Sequence, residues 1–189
     1  MGAAARGWNI ERLVDATIRA FVARGAASRL VFKLHPLDGH ARSRETMIRA
    51  KAEAYGISNA VLVLHSGSIA QLSIHSKGMI LINSTSGMTA IHHGTPLLVM
   101  GEAVFRHPSL VHCGNDDADI EAFMDAPWAA EPEHRHAFER FLAREALVPG
   151  DFYKRDGRLI AANYIARMVA GKKALKAQRA KASGGAKAS

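Results

Sequence analysis

Small polar side chains cluster where a predicted strand ends and a predicted helix begins. The run Met-Ile-Leu-Ile-Asn indicates a strand over residues 79–83, and a helix is predicted over residues 86–93. The cluster at this junction consists of Asn83, Ser84, Thr85, Ser86 and Gly87. The free N–H groups and positive dipole end of a helix N-terminus attract anions, and hydroxyl groups add further donors. Because glycine also allows close backbone approach, this hydroxyl cluster predicts a phosphate-binding site.

A structural explanation of the hydroxyl cluster stays open. Ser84 or Thr85 could simply cap the helix, which would stabilise it by about 1 kcal/mol. A cap needs only one hydroxyl, whereas three stand here beside an asparagine. The surplus of donors favours anion binding over capping alone.

A second polar cluster follows the strand predicted over residues 30–34. It consists of Lys33, His35 and Pro36. The proline disfavours helix at His35 and therefore marks the end of the strand. Since ligands of an open α/β sheet bind outside the carboxyl ends of its strands, both clusters are expected at one edge of the sheet. For His35, the structural alternative is a histidine satisfied by backbone groups.

Other side chains that carry chemistry favour structural roles. His92 and His93 are consecutive, so on a helix they point about 100° apart and cannot share a metal ion, and no metal site is predicted. Asp116 and Asp117 precede an apolar periodic segment and indicate a helix N-cap. The sequence lacks a P-loop, Gly-x-Gly-x-x-Gly and Gly-x-Ser-x-Gly, which argues against ATPases, dinucleotide-binding enzymes and hydrolases.

Alternating strand and helix patterns position both clusters. Helices are predicted over residues 9–24, 43–55, 68–78 and 86–93, and strands over residues 30–34, 60–64, 79–83 and 96–101. This alternation predicts right-handed βαβ units, and strands that are apolar throughout are expected to be covered on both faces. The predicted fold class is α/β, a Rossmann-like, mostly parallel sheet with flanking helices. Closing helices are predicted over residues 116–125, 133–147 and 157–169.

The composition indicates one domain with a basic tail. Most of the net charge of +8 comes from residues 172–189, which contain six basic residues and no acid. This segment is too poor in large apolar side chains to fold alone, so we expect a folded domain over residues 1–171 and a disordered tail over residues 172–189. The nearly neutral domain argues against a specific nucleic-acid partner.

A single cysteine, Cys113, and the lack of a transmembrane or signal segment predict a cytoplasmic location.

Four separated segments carry a family resemblance: LVFKLHPLDGH, ILINSTSGMTAIHHGTPLLVMGEAVF, PSLVHCG and PGDFY. In this order they resemble the capsule polysaccharide biosynthesis and export family of Gram-negative bacteria, over about residues 9 to 165. Members of that family look like β-Kdo transferases, which move 3-deoxy-manno-octulosonic acid (Kdo) from CMP-Kdo to a lipid acceptor. The chain is similar also to bacterial sialyltransferases, in which a His-Pro motif and a Ser/Thr-Ser motif hold the phosphate of CMP.

The resemblance implies both a site and an architecture. His35 and Pro36 match the His-Pro motif, and Thr85-Ser86, or else Ser84-Thr85, match the hydroxyl pair. The implied architecture is GT-B, in which two Rossmann-like domains form a cleft and the carboxyl-terminal one binds the nucleotide sugar. The chain resembles only this donor-binding half. CMP-Kdo is the implied donor substrate, and neither a cofactor nor a metal is implied.

The implied function is glycosyl transfer in capsular polysaccharide biosynthesis. The acceptor would be a lipid or glycolipid, which places the enzyme in the cytoplasm or at the periphery of the inner membrane. The related sialyltransferases carry their general base in the other half, so we expect this chain alone to be inactive and name no catalytic residue. Asp38 is the best internal candidate for a base. The missing N-terminal half or capsule assembly proteins are the implied protein partners.

Two alternatives stay open. One is a GT-B enzyme that uses a UDP-sugar, for which Glu102 is a candidate to hold the ribose hydroxyls. The other is a non-catalytic subunit of the capsule export machinery, which a stand-alone half domain favours.

Overall fold

The computed structural model describes residues 5–25, 27–35, 37–148 and 155–185, with side chains as far as residue 170. Pro36, which the sequence assigns to the second polar cluster, lies outside the described residues. The chain divides into two compact units, Met1–Ala137 and Phe138–Ser189.

The first unit alternates strands and helices, as the sequence predicts. Its strands are β1 (Leu30–Lys33), β2 (Val61–Leu64), β3 (Met79–Leu81), β4 (Leu97–Val99) and β5 (His112–Cys113). Its helices are α1 (Ile10–Arg24), α2 (Ala41–Ala54), α3 (Ile69–His75), α4 (Ser86–His93) and α5 (Asp117–Asp125). Helix α6 (Pro132–Phe141) crosses the boundary between the units, and a π-helical turn (Leu142–Ala146) and α7 (Arg155–Gly185) follow it.

All strand pairs are parallel, but the strands form two sheets instead of one. In the first sheet β1 pairs with β2, and Lys33 lies opposite Leu64. In the second, β4 lies between β3 and β5. Parallel strands flanked by helices confirm the predicted α/β, Rossmann-like class. Each polar cluster therefore follows a strand of a different sheet.

Helix α1 packs against the cores of both sheets. Val14 and Ile18 belong to the core beside β1 and β2, whereas Ala16 and Ala20 belong to the core beside β4 and α5. The first core also contains Leu34, Ile48, Ala52 and Val61, and the second contains Trp8, Leu98, Met100, Ile120 and Phe123. Burial of a large apolar side chain stabilises the fold by about 1.5–3 kcal/mol, so these two cores hold the strand ends in place.

One face of the first sheet is only partly covered. Val31 and Leu62 lie opposite each other, and each is 39% exposed. The expectation that every strand is covered on both faces is therefore wrong for β1 and β2. Their apolar sequences predict strands correctly, but the coverage of a face depends on where the helices pack.

The backbone of α7 continues well beyond the helix predicted over residues 157–169. It is helical from Arg155 to Gly185, which includes most of the segment predicted to be a disordered tail. The predicted domain limit at residue 171 thus falls inside a helix, whereas the compact units meet at residues 137 and 138. Alanine and lysine dominate this segment, and both have high helix propensity.

The start of α5 contains a capping box that can be tested. Asp116 accepts a hydrogen bond from the Asp119 N–H, and the Asp119 carboxylate accepts one from the Asp116 N–H, both at 3.2 Å. This confirms the N-cap predicted at Asp116. We expect Asp116→Ala to lower the free energy of unfolding by about 1 kcal/mol, measured by urea denaturation. As a control, Asp125→Ala, at the end of α5, should change it by less than about 0.5 kcal/mol; equal losses in the two variants would contradict the cap.

Candidate functional site

His35 presents one unpaired ring nitrogen at the surface beyond β1. The Leu37 N–H donates to His35 Nδ1 at 3.1 Å. In the neutral imidazole the proton therefore lies on Nε2, which has no partner among the described residues. The His35 ring is exposed. Backbone groups satisfy only half of this histidine, and Nε2–H is free to donate to a ligand.

Lys33 places a positive charge between the ends of β1 and β2. Its ammonium group donates to the carbonyl oxygen of Leu34 at 2.8 Å and to that of His65 at 3.4 Å. An ammonium group has three donors, so these two bonds leave one for a ligand. The lysine can thus link the two strand ends and still contact an anion.

Asp38 lies in the loop before α2, and its side chain bonds to groups of that loop and of the helix. Its carboxylate forms an ion pair with Arg44 and accepts a hydrogen bond from the His40 N–H at 3.0 Å. The Asp38 side chain is only 9% exposed. These contacts support a structural role in the loop and argue against Asp38 as a general base.

The hydroxyl cluster is organised by contacts between its own members. The Oγ atoms of Ser84 and Ser86 lie 2.8 Å apart, and the Ser86 N–H donates to Ser84 Oγ at 3.3 Å. Thr85 is the N-cap residue of α4, but its side chain makes no capping hydrogen bond. Asn83, Ser84 and Thr85 are exposed. Ser84 therefore bonds the first N–H of α4, whereas Thr85 does not cap the helix, and the exposed side chains of Asn83, Ser84 and Thr85 lie where an anion can approach.

Gly87 has a packing role that the sequence did not indicate. A Cβ atom at this position would lie 2.5 Å from Phe105 Cζ and 3.2 Å from Leu81 Cδ2. The Gly87 N–H already donates to the Ser84 carbonyl oxygen at 3.1 Å. The small size of Gly87 thus makes room for the Phe105 ring, which gives the glycine a role besides the close ligand approach that the sequence predicts. Its part in anion binding stays a prediction.

Sequence reasoning missed a third polar strand end. β2 is followed by His65, whose Nε2 lies 2.7 Å from Glu45 Oε2. Arg49 also binds Glu45, and together Arg49 and His65 lower the pKa of that carboxyl group. The sequence does carry a signal, because His-Ser-Gly-Ser directly follows an apolar strand.

The ends of β4 and β5 carry a second ionic cluster. Glu102 forms an ion pair with Arg6, whose guanidinium lowers the pKa of the carboxyl group. Arg6 and Arg106 both donate to Asn115 Oδ1, at 2.9 and 3.1 Å. Because the Glu102 carboxylate is already paired with the Arg6 guanidinium, this geometry does not favour Glu102 as a ligand for ribose hydroxyls.

A cavity of about 430 Å³ lies between β5 and α5. The His112 ring lies there between Phe123, which it meets edge to face at 4.8 Å, and Trp128, whose ring is tilted by 34° at 4.4 Å, and burial lowers the pKa of His112. Burial also raises the pKa of the Cys113 thiol, so this cysteine is not an activated nucleophile. No lysine or arginine among the described residues lines the cavity, which makes it a poor place for a phosphate.

The described residues contain no group of three or more His, Cys, Asp or Glu side chains that could hold a metal ion. Within the same residues, no helix has the length and apolar character needed to cross a membrane.

Comparison with known proteins identifies relatives in capsule synthesis. The chain is 29% identical to the capsule polysaccharide export protein KpsS of Escherichia coli over 126 residues, which are 67% of this chain and 31% of the relative. It is 26% identical to the capsule polysaccharide modification protein LipB of two Neisseria meningitidis strains, over 69% of this chain and 30% of each relative. The chain thus spans less than a third of these relatives. No solved structure matches it.

The family profile described as "Capsule polysaccharide biosynthesis protein" matches residues 9–153, which include both polar clusters and all five strands. The match extends over most of the 189 residues and agrees with the resemblance carried by the four sequence motifs. The chain therefore belongs to the capsule polysaccharide biosynthesis protein family.

Proposed function

We propose that the chain is the CMP-Kdo-binding half of a β-Kdo glycosyltransferase that builds the lipid-linked primer of capsular polysaccharide. The observation that carries the proposal is the set of exposed donors at strand ends. His35 offers an unpaired Nε2–H, and the hydroxyls of Ser84 and Thr85 face solvent. Such donors suit the phosphate of a nucleotide sugar, and membership of a capsule family supports a sugar donor.

The chemistry of the transfer explains why donors are needed. Kdo transfer breaks the bond between the anomeric carbon and a phosphate oxygen, so negative charge grows on the departing CMP. Donors that are already oriented stabilise this charge more in the transition state than in the bound substrate. His35, Lys33 and the hydroxyl cluster are the groups we assign to this role. At α4 the hydroxyls carry the contact, because the Gly87 N–H is already bonded within the chain.

The acceptor side of the reaction needs groups beyond those assigned here. A lipid or glycolipid acceptor requires a general base within hydrogen-bond reach of its hydroxyl. Asp38 is held by Arg44, and Glu102 is held by Arg6, so neither carboxylate is free for this task. We propose that the base, and the second half of a GT-B cleft, lie in a part of the enzyme or a partner outside this chain.

A second candidate function is a non-catalytic subunit of capsule export. It is supported by the name of the Escherichia coli relative, which is described as an export protein. In this case the strand-end donors would have no nucleotide sugar to bind. Direct measurement of nucleotide binding separates the two candidates.

We expect the full chain to bind CMP better than UMP or AMP. The measurement is ligand-observed NMR with the three nucleotides, and with cytidine as a control that lacks the phosphate. Cytidine should bind more weakly than CMP, because the His35 and Ser84–Ser86 contacts are made to phosphate. Equal or stronger binding of UMP would favour a UDP-sugar enzyme, and no binding of any nucleotide would favour the export subunit.

A further inference from the structure

Two arginine side chains meet one carboxylate at the edge of the second sheet, beyond the ends of β4 and β5. Arg6 forms an ion pair with Glu102. Arg6 and Arg106 share Asn115 Oδ1 as an acceptor. Arg6 lowers the pKa of the Glu102 carboxyl group, and the charge of Arg106 lowers it further. We call Arg6, Glu102, Arg106 and Asn115 the arginine cluster, which is positive as a whole because it has two cations and one anion.

Arg106 has donors that its contacts within the described chain leave unused. Its Nη2 atom donates to the Gly114 carbonyl oxygen and to Asn115 Oδ1, both at 3.1 Å and both neutral acceptors. Nη1 has no acceptor among the described residues, and Nε is buried and likewise has none there. A guanidinium group carries five N–H donors, and a buried donor without an acceptor lowers stability. Arg106 therefore has both the charge and the donors to bind an anion.

The arginine cluster lies beside the hydroxyl cluster. The Gly101 N–H donates to the Ile82 carbonyl oxygen at 2.8 Å, so the chain beyond β4 runs next to the start of the hydroxyl cluster. The ring of Phe105, which directly precedes Arg106 in the chain, lies against Gly87 of α4. Since neighbouring strands are about 4.8 Å apart, one small ligand can reach both clusters.

We propose that the arginine cluster binds the carboxylate of the donor sugar, which is a sugar acid. This inference rests on the proposed function and adds a place for the second negative charge of the donor. In a CMP-linked 2-keto sugar acid the carboxylate and the phosphate oxygen are attached to the same carbon, so two neighbouring anion sites suit such a ligand. The hydroxyl cluster would contact the phosphate, and Arg106 would contact the carboxylate. A planar guanidinium group matches a carboxylate with two parallel hydrogen bonds.

Ligand-observed NMR on the full chain tests the proposal with two probes that differ in one group. The methyl glycoside of Kdo carries the carboxylate, and its primary carboxamide has the same shape without the charge. The wild type should bind the carboxylate on the order of tenfold more tightly, because the amide loses a charge-assisted contact to Arg106. Arg106→Gln should bind the two probes about equally. Since this preference is a ratio of two affinities, a smaller folded fraction of the variant leaves it unchanged.

Glu102→Gln should produce the opposite change. It removes the one negative charge of the arginine cluster and leaves Arg6 without its ionic partner. We expect the affinity for the carboxylate probe to rise about two- to fivefold, the size usual for one exposed charge interaction. A gain of affinity cannot come from a weakened fold. As a control, Arg24→Gln removes a charge that pairs with Asp125 where α1 and α5 end, and it should leave the carboxylate preference unchanged.

The proposal is overturned if the wild type shows no preference for the carboxylate, if Arg106→Gln keeps that preference, or if Glu102→Gln gains no affinity. A preference for UDP over UMP that Arg106→Gln abolishes, with both Kdo probes bound equally by the wild type, would assign the cluster to a second phosphate instead. CMP is measured on the same samples. CMP binding without a carboxylate preference refutes this inference alone, whereas an Arg106-dependent preference without CMP binding leaves a sugar-acid site and refutes the nucleotide-binding function.

Discussion

Gly87→Ala is expected to destabilise the protein by about 1–3 kcal/mol, the usual cost of overpacking a core. The new methyl group would lie 2.5 Å from Phe105 Cζ and 2.6 Å from Phe105 Cε2. Phe105 is 2% exposed, so its ring is enclosed and cannot simply move aside. The change should appear as a lower midpoint in guanidinium denaturation, with an unchanged slope if the unfolded state is unaffected.

Two other glycines provide matched controls for this substitution. At Gly114 the added Cβ would meet Met100 Sδ at 2.4 Å and Leu98 Cδ1 at 2.9 Å, but the ends of these flexible side chains adapt more easily than a ring. At Gly39 it would meet nothing within 4 Å. We expect the order of destabilisation to be Gly87→Ala, then Gly114→Ala, then Gly39→Ala.

A double variant identifies the cause of the loss. Adding Phe105→Leu to Gly87→Ala should cost less than the sum of the two single changes, because the smaller side chain leaves room for the methyl group. Strict additivity would show that the Phe105 contact is not what makes glycine necessary at position 87.

His35→Ala and Ser86→Ala should each weaken CMP binding by about 1–3 kcal/mol, which is the range for a lost charge-assisted hydrogen bond. His35 would lose the Nε2–H donor, and Ser86 would lose both its own hydroxyl and the contact that orients Ser84 Oγ at 2.8 Å. The dissociation constants of the variants and the wild type would be compared by NMR titration of CMP.

Measurements of stability show whether a variant loses CMP affinity because a binding group is missing or because the fold is weakened. His35 is exposed, so its removal should leave the melting temperature nearly unchanged. His136 is an exposed histidine on α6, and His136→Ala should affect neither CMP binding nor stability. A large fall in melting temperature together with unchanged CMP affinity would mean that the replaced residue only supports the loop.

Helices with a strong apolar period could be predicted closely from the sequence. The helix predicted over residues 86–93 has those limits in the structure, and the helix predicted over residues 9–24 begins at Ile10. Helix α1 has Asn9 as a side-chain cap and Gly25 in the left-handed conformation at φ 61°, and α4 ends at Gly94, which has φ 67°. Such local signals act within one or two turns, and distant contacts are not needed to interpret them.

Features that depend on long-range packing were harder to predict. β5 has only two residues, too few for a pattern, and it exists because it pairs with β4. The pairing of Arg6 with Glu102 also went unpredicted, although it engages the carboxylate that the sequence offered as a ligand for ribose hydroxyls. Partners 96 residues apart, as Arg6 and Glu102 are, leave no local pattern in the sequence.

By itself, the sequence determined the α/β class, the order of the four longer strands and the position of both polar clusters at strand ends. These follow from hydrophobic period and from residue types next to each other in the chain. Only the tertiary structure decided that the strands form two sheets, that Gly87 makes room for the Phe105 ring, and that Arg6 pairs with Glu102. Each of these depends on which groups meet across the fold, because a contact between distant residues is set by packing and not by their spacing in the chain.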